Sequence, residues 1–267
     1  MPTSQEILEQ FPFDQPRDGQ VDAVSWILDR FNEGKKIVFL EAPCGAGKSV
    51  IGMTVAKFYS NSFYITATKI LQDQLSKEFG ENGKYSTDMI DLKGRGAYEC
   101  TYYKKNADKL KQAKLISLKQ YTEYQKYHSC VDGHCRKEGE SNYKDCLSQN
   151  LCPYYVQIAK AQLASMCLMN FSSFLYQSVL ARRFNKRSLM IIDEGHNIEN
   201  QLMDFVSISL DESMLPGLVF PELDTAREYA QWIQDEMVSQ LLDQQIEKAE
   251  IDKNMKLIDE LESYKFK

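Results

Sequence analysis

Apolar residues recur at helical spacing over residues 21–31, which predicts a helix that ends at the Asn-Glu-Gly sequence of residues 32–34. The four apolar residues that follow at 37–40 predict a short strand buried on both faces, as in a parallel sheet. The alternation continues with a helix, a strand and a helix at residues 49–59, 63–66 and 71–79. We therefore predict an α/β fold built on a doubly wound parallel sheet.

The alternation stops over residues 93–155, where Lys, Tyr and Cys are frequent and no segment predicts a strand. Beyond it, residues 156–166 predict a helix, and residues 188–192 predict a strand with an Asp-Glu pair at its carboxyl end. From about residue 210 the chain predicts acidic helices, most clearly over residues 231–253. The pattern thus predicts one α/β region that is interrupted by a Cys-rich segment and followed by an acidic helical segment.

The chain has 267 residues, 43% of them hydrophobic and 26% charged, which excludes a wholly disordered chain, a collagen and a disulfide-dense miniprotein. Its net charge of −6 argues at first against a nucleic-acid-binding protein. Residues 197–267, however, hold 16 acidic and 6 basic side chains, which leaves 22 acidic and 26 basic, a net charge of +4, for residues 1–196. The amino-terminal part can therefore face a phosphate backbone.

No stretch approaches the ~18 consecutive apolar residues of a transmembrane helix, and the amino terminus lacks the basic and apolar regions of a signal peptide. We therefore expect an intracellular protein without a membrane partner. In a reducing compartment its seven cysteines are expected to be metal ligands or buried thiols rather than disulfides.

The sharpest motif is the sequence Glu-Ala-Pro-Cys-Gly-Ala-Gly-Lys-Ser at residues 41–49, between a predicted strand and a predicted helix. Backbone N–H groups of such a loop, with the free donors of the helix amino terminus, cradle phosphates. Lys48 supplies a point charge, and the Ser49 hydroxyl is suited to Mg2+. Ala42 replaces the usual first Gly, as in the A-x-x-G-x-G-K-[ST] form of superfamily 2 helicases. The predicted nucleotide-binding residues are Arg17 and Gln20, as candidates near the adenine, and Ala42, Gly45, Ala46, Gly47, Lys48 and Ser49.

An Asp-Glu pair follows the predicted strand at residues 188–192. Because the carboxyl ends of parallel strands face the ligand crevice, Asp193 is placed to hold Mg2+ through water, and Glu194 to orient or deprotonate the attacking water. His196 could couple the state of the nucleotide to neighbouring polar groups. Such a pair can also be merely solvated or cap a helix, but its combination with the phosphate loop favours catalysis. We predict Lys48, Asp193, Glu194 and His196 as catalytic residues.

Five cysteines lie close together in the Cys-rich segment: Cys100, Cys130, Cys135, Cys146 and Cys152. Zinc prefers compact C-x2-4-C pairs, and only Cys130 and Cys135 have that spacing. The spread of the others and the final Cys-Pro sequence at residues 152–153 are more typical of iron–sulfur ligation. Spacing alone leaves three possibilities open: an iron–sulfur cluster, a zinc ion and no metal.

Residues 93–127 carry nine basic side chains against three acidic ones, interleaved with six tyrosines. Cations that follow phosphates and aromatic rings that stack on bases are the two parts of a sequence-tolerant single-strand site. A solvated lysine face over a small tyrosine-rich core is the alternative. The predicted nucleic-acid contacts are Thr66, Thr68, Gln72, Arg95 and Tyr98.

These motifs together resemble the XPD/DinG family of iron–sulfur DNA helicases in superfamily 2. The resemblance rests on segments in family order at residues 42–49, 66–72, 93–100, 152–155, 169–171 and 193–199. It implies a RecA-like P-loop parallel sheet with a Cys-rich iron–sulfur insertion and a helical, arch-like carboxyl-terminal extension. The implied domains are the first part of the motor domain at residues 1–92, the iron–sulfur domain at 93–157, the second part of the motor domain at 158–206, and an incomplete arch-like segment at 207–267.

The resemblance further implies ATP-driven 5'-to-3' translocation on single-stranded DNA by a helicase that uses ATP, Mg2+ and a [4Fe-4S] cluster. The cluster ligands of the family carry over to Cys100, Cys135, Cys146 and Cys152, with Cys130 as the alternative to Cys135. Gly195 replaces the Ala of the D-E-A-H box of the family, which exchanges one small residue for another.

The family's second RecA-like domain does not follow by Lys267, so we expect the chain to correspond to the amino-terminal half of such a helicase. Arginines of that domain stabilise the transferring phosphoryl group, and arginine fingers contribute ~10^3 or more in rate. We therefore expect nucleotide and single-strand binding, weak hydrolysis, and no unwinding unless a partner polypeptide supplies the second domain. The alternatives are a non-motor, nucleotide-dependent DNA-binding or sensing protein and a zinc-containing P-loop ATPase that acts on something other than DNA.

Overall fold

The computed structural model describes residues 2–115, 117–119, 129–133, 152–207, 219, 221–235 and 238–251. The chain divides into two compact units, Met1–Gln201 and Leu202–Lys267. Within the described ranges, no helix is both long enough and apolar enough to span a membrane.

The first unit begins with three helices, α1 (Ser4–Glu9), α2 (Gln20–Asn32) and α3 (Lys48–Ala56). They are followed by β1 (Ser62–Thr66), α4 (Lys69–Phe79), β2 (Met89–Asp91) and α5 (Thr101–Gln112). After the Cys-rich segment come α6 (Pro153–Leu163), β3 (Met166–Asn170), α7 (Phe171–Phe174) with a π-helical continuation over Leu175–Leu180, and β4 (Leu189–Ile192). The remaining helices are α8 (Ile198–Val206), α9 (Ala226–Asp235) and α10 (Val238–Ile251).

The four strands form one parallel sheet in the order β2-β3-β1-β4. All five residues of β1 and of β3 are buried, as expected for central strands covered on both faces. In the register of the sheet, Thr66 lies beside Asn170 and Ile65 beside Ile192. The carboxyl ends of β1, β3 and β4 therefore meet at one edge, where the predicted site residues follow them. This parallel sheet confirms the predicted α/β fold.

The predicted strand at residues 37–40 is wrong, because this segment has no regular secondary structure and does not pair with the sheet. Val38 and Leu40 pack against the core, whereas Ile37 and Phe39 are 72% and 83% exposed. A cavity separates this segment from β4. Only one face of this apolar run therefore packs against the core. Its backbone forms no ladder of hydrogen bonds with a neighbouring strand.

Two strands lie where the sequence pattern predicted none. β2 is only three residues long, and β3 is a Met- and Cys-rich strand that begins at Met166, the last residue of the helix predicted at 156–166. That helix, α6, begins earlier, at Pro153, and ends at Leu163. Neither strand carries the run of β-branched residues that marks a strand in a sequence. The long acidic helix predicted over 231–253 falls on two helices, α9 and α10.

Candidate nucleotide-binding site

Two glycines shape the phosphate loop. Gly45 and Gly47 have φ angles of 82° and 81°, a left-handed backbone conformation that side chains with a Cβ rarely adopt. Helix α3 begins directly after Gly47, so the N–H groups of its first turn lack partners within the helix. The Lys48 ammonium donates a hydrogen bond of 3.0 Å to the Ala42 carbonyl oxygen. The loop thus has the free donors and the positive charge that a phosphate requires.

Arg17 and Gln20 contact the backbone of this loop. The buried Gln20 amide donates to the Ala46 carbonyl oxygen over 2.8 Å and accepts from the Arg17 backbone N–H over 2.9 Å. The Arg17 guanidinium donates to the Gly45 carbonyl oxygen. A Cβ at position 47 would collide with the Gln20 amide, which is a second reason for Gly47. The structure brings Arg17 and Gln20 to the loop, and their contact with an adenine stays a prediction.

The acidic pair is fixed at the end of β4. The Asp193 N–H donates to the Ile65 carbonyl oxygen of β1 over 2.8 Å. Glu194 has a positive φ of 55°, and its N–H donates to the Asp193 carboxylate over 3.1 Å. Burial and the neighbouring Glu194 charge raise the pKa of Asp193, while the Glu194 N–H and the Lys48 ammonium act in the opposite direction. The His196 Nδ1 lies 3.4 Å from a Glu194 carboxylate oxygen.

One cavity of about 680 Å3 is lined by Glu41, Ala42 and Lys48 of the loop and by the acidic pair, whereas Gly45, Ala46, Gly47 and Ser49 are not among its lining residues. The sequence predicted four catalytic residues, and all of them line it: Lys48, Asp193, Glu194 and His196. Residues 38–42 also contribute to the lining. The structure therefore brings together side chains that are about 145 positions apart in the sequence. Their catalytic roles stay predictions.

Tyr64 also lines the cavity, although the sequence analysis did not select it. Its side chain is fully buried in the centre of β1, and burial together with the charges of Asp193 and Glu194 raises its pKa. The Ser49 side chain has a smaller, opposite effect on that pKa. The feature of the sequence that could have drawn attention to Tyr64 is its hydroxyl group, which lies inside an otherwise apolar predicted strand.

The polar residues at the carboxyl end of β1 differ in exposure. Thr68 is exposed and caps α4 by accepting from the Leu71 N–H over 3.3 Å. Thr66 is buried, and its hydroxyl donates to the Thr68 carbonyl oxygen over 3.2 Å. Gln72 is also completely buried. Of these three predicted nucleic-acid contacts, only Thr68 therefore presents its side chain at the surface.

The Gln72 amide joins three segments of the chain. It donates to the Asp91 carboxylate over 2.6 Å and to the Leu92 carbonyl oxygen over 3.1 Å, and it accepts from the Asn170 amide over 3.0 Å. The Asp91 carboxylate lies 3.6 Å from the Lys93 ammonium. Burial raises the pKa of Asp91, although Gln72 and Lys93 oppose that rise. Gln72 therefore ties the strand ends together, and its contact with a nucleic acid stays a prediction.

Arg95 and Tyr98 belong to a cluster of aromatic rings. The Arg95 guanidinium donates to the Tyr155 hydroxyl over 2.6 Å and lies 5.0 Å from the centre of the Tyr154 ring. The Tyr98 ring packs on Tyr154 with their centres 5.7 Å apart. Arg183 lies over the Tyr155 ring at 5.6 Å. Both predicted nucleic-acid contacts are half-buried in this cluster, and their role toward a nucleic acid stays a prediction.

Cys100, Cys130 and Cys152 are buried, and the Sγ atoms of Cys130 and Cys152 lie 3.9 Å apart. The hydrogen bond with Cys130 lowers the pKa of Cys152 to about 6, and the backbone N–H groups at the start of α6 and the Arg95 charge assist, against the effect of burial. Conversely, Cys152, burial and Cys100 raise the pKa of Cys130. Cys135 and Cys146 lie outside the described residues. Among the residues that the structure does describe, no group of three or more His, Cys, Asp or Glu side chains is placed to hold a metal ion.

The parallel sheet, the Gly-rich loop and the acidic pair define an α/β P-loop domain. A family model described as "Type III restriction enzyme, res subunit" matches residues 14–218, more than half of the chain, and the chain belongs to this family. Over 72 residues, 26% of this chain, it is 26% identical to the General transcription and DNA repair factor IIH helicase subunit XPD of Dictyostelium discoideum. That match covers 9% of the Dictyostelium protein. Both matches support the resemblance of the chain to superfamily 2 helicases of the XPD type.

Proposed function

We propose that this chain binds ATP with Mg2+ in the cavity between the phosphate loop and the end of β4, and that it uses the nucleotide as part of a 5'-to-3' DNA helicase. The observation that carries the proposal is that Lys48, Asp193 and Glu194 line one cavity. Lys48 and the loop N–H groups would hold the phosphates. The oxygens of Ser49 and Asp193 are ligands that Mg2+ prefers, and Glu194 would orient the attacking water.

Nucleotide binding is tested with a fluorescent ATP analogue and the variant Lys48→Ala. Loss of one charge-assisted contact to phosphate is expected to weaken binding by about 10-fold or more. Lys77→Ala is the matched control, because Lys77 is exposed on the last turn of α4 and does not line the cavity. Equal affinities of the Lys48 variant and the wild type would refute the proposed site.

The proposed nucleic-acid partner is single-stranded DNA. Exposed lysines of α5 support this proposal: Lys104, Lys105, Lys109 and Lys111. In the sequence these lysines lie between Arg95 and the Cys130–Cys152 pair, whose sulfur atoms are 3.9 Å apart. Cations and aromatic rings are therefore close together in the sequence, and both follow the end of strand β2. Binding of a labelled oligonucleotide should weaken steeply as salt is raised, because each neutralised phosphate releases counterions.

We further propose that full activity needs a second RecA-like domain, whose arginines would complete the site. Residues 1–267 tested without such a domain are expected to hydrolyse ATP weakly and to unwind no duplex. Robust unwinding by the 267-residue chain alone would contradict this proposal. A non-motor, nucleotide-dependent DNA sensor is the alternative, and DNA-stimulated ATPase activity after addition of a candidate second domain distinguishes the motor from the sensor.

A [4Fe-4S] cluster is proposed for the Cys-rich segment, where it would supply a redox-active or structural iron site. The donor chemistry fits, because Cys100, Cys130 and Cys152 are buried thiols and the lowered pKa of Cys152 favours the thiolate that iron binds. The contact with Cys152 strengthens the case for Cys130, and Cys135 and Cys146 remain candidates for the other ligands. Free buried thiols also agree with the proposed intracellular location.

The cluster is tested by anaerobic purification, with iron and sulfide analysis and an absorbance band near ~400 nm. Cys130→Ser and Cys135→Ser are compared, with Cys44→Ser as the control, because Cys44 is exposed in the phosphate loop. Loss of iron in only one of the first two variants identifies the ligand. A colourless protein that contains zinc would support the zinc-containing ATPase instead.

A further inference from the structure

Gln20, the first residue of α2, is enclosed against the phosphate loop, and its side chain is only 2% exposed. The helix fixes its position, because Val24, Ile27 and Leu28 on the same helix are buried in the core on which α3 also packs. Since α3 begins directly after the loop, Gln20 is held on one side of the loop by the packing of two helices.

Both ends of the Gln20 amide are engaged by the protein backbone. Its oxygen accepts from the Arg17 N–H over 2.9 Å, and its nitrogen donates to the Ala46 carbonyl oxygen over 2.8 Å. The amide nitrogen lies so close to Gly47 that a Cβ there would collide with it. Little of the amide surface is therefore left for a nucleotide base, although the same amide contacts the loop directly.

The bond to Ala46 determines the direction of the next N–H group. The carbonyl and the N–H of a planar trans peptide point in opposite directions. Because the Ala46 carbonyl points at Gln20, the Gly47 N–H points to the opposite side of the loop. Glycine itself restricts the backbone little, so the two glycines of the loop do not hold this orientation alone. The contact with Gln20 supplies a restraint from outside the loop.

We propose that Gln20 is a positioning residue that orients the peptide between Ala46 and Gly47, so that the Gly47 N–H is directed toward a triphosphate whatever base the triphosphate carries. A loop that is ordered before its ligand arrives binds more tightly, because binding does not have to order it. The inference rests on the proposed nucleotide function and separates its phosphate contacts from recognition of the base.

The test compares Gln20→Met with the wild type by calorimetric titration of ATP and of inorganic tripolyphosphate, each with Mg2+. Methionine has a similar length but cannot make the two amide hydrogen bonds. The affinities for both ligands are expected to fall by the same factor, about 2- to 10-fold, which is the range for one hydrogen bond. Gln5→Met is the matched control, because Gln5 is exposed on α1 and its amide donates only to Glu9, over 3.4 Å.

The stoichiometry of each titration separates positioning from a merely structural role. A structural role lowers the fraction of folded chains and leaves the dissociation constant of the folded ones unchanged, whereas positioning changes the dissociation constant at one site per chain. Gln20→Leu replaces a methionine variant that circular dichroism shows to be unfolded. Loss of the fold in both variants would overturn the inference, because Gln20 would then belong to the core rather than to the site.

A weaker affinity for ATP alone, with tripolyphosphate unaffected, would also overturn the inference, assign Gln20 to the base and leave the proposed nucleotide site intact. Unchanged dissociation constants for both ligands, or a wild type that binds ATP but no tripolyphosphate, would overturn it as well. A wild type that binds neither ligand would overturn the proposed function together with this inference.

Discussion

Replacing Gln72 with leucine tests whether this residue holds the strand ends together or contacts a nucleic acid. The side chain is 0% exposed, and its amide makes three hydrogen bonds, to Asp91, Leu92 and Asn170. Leucine has a similar size but can neither donate nor accept. The substitution therefore leaves the buried Leu92 carbonyl, the Asn170 amide and a carboxylate oxygen of Asp91 without this partner.

Each buried polar group that loses its partner costs about 1–3 kcal/mol, and three such groups set the scale of the effect. Asp91 keeps the nearby Lys93 ammonium, and leucine gains about 1 kcal/mol or more from burying additional apolar surface. We therefore expect Gln72→Leu to lower the free energy of unfolding by about 3–5 kcal/mol. The free energy of unfolding of a typical domain is about 5–15 kcal/mol in total, so this loss is a large part of the stability.

The measurement is urea unfolding followed by circular dichroism, together with binding of labelled single-stranded DNA. Gln74→Leu is the matched control, because Gln74 lies on the same helix but is exposed, and its substitution should change stability by less than about 0.5 kcal/mol. A Gln72 variant with wild-type stability and strongly weakened DNA binding would refute the reasoning and restore the role that the sequence predicted.

Three further predictions concern other parts of the first unit. The Arg187 guanidinium donates to the carbonyl oxygens of Ser62, Ala164 and Ala161, so Arg187→Met should cost about 2–3 kcal/mol in urea unfolding, and an unchanged midpoint would contradict this. Burial raises the pKa of Asp91 above 3.8, so the folded protein binds this proton more tightly than the unfolded chain and loses stability as the pH rises through that raised value. The stability of Asp91→Asn relative to the wild type should therefore increase with pH across this window, and a difference that is constant from pH 4 to pH 7 would count against the assignment. The pKa of the fully buried Cys167 is raised to about 12, so a thiol reagent at about pH 8 should modify the exposed Cys44 first, and mass spectrometry should find Cys167 modified only after unfolding.

The parts of the fold that could be predicted are those in which local pattern and tertiary packing agree. Helices α2, α3 and α4 carry apolar residues at helical spacing, and β1 and β4 are apolar runs beside turn residues. β3 was not predicted, because Met and Cys have no strong preference for strands. These residues form a strand because they pair with β2 on one side and with β1 on the other. The reverse holds for residues 37–40, because their composition favours a strand but the segment does not pair with β4, the terminal strand of the described sheet.

The site could be predicted where a motif fixes its own geometry. Gly45 and Gly47 shape the loop, and Asp193 follows β4 at the carboxyl edge of the sheet, where it lines the same cavity as Lys48. The hydrogen bonds of Gln20 with Ala46 and of Asn170 with Gln72 join residues that are distant in sequence, and no local spacing predicts them. Such contacts depend on how α2, α3 and β1 pack, which a linear pattern does not contain.

The polar residues at the carboxyl edge of the sheet divide by burial, and this division separates two kinds of function. Lys48, Asp193 and Glu194 are only partly buried, so they keep a surface on which a ligand can act. Gln72 and Tyr64 are almost completely enclosed, and the Gln72 amide hydrogen-bonds to other protein groups. A buried amide or phenol can interact only with the protein groups around it, so it fixes the positions of those groups. A half-buried charged side chain still contacts water, which a phosphate or a cation can replace. For this domain, the sequence identifies which residues are polar at the strand ends, and their burial decides which of them bind and which of them position.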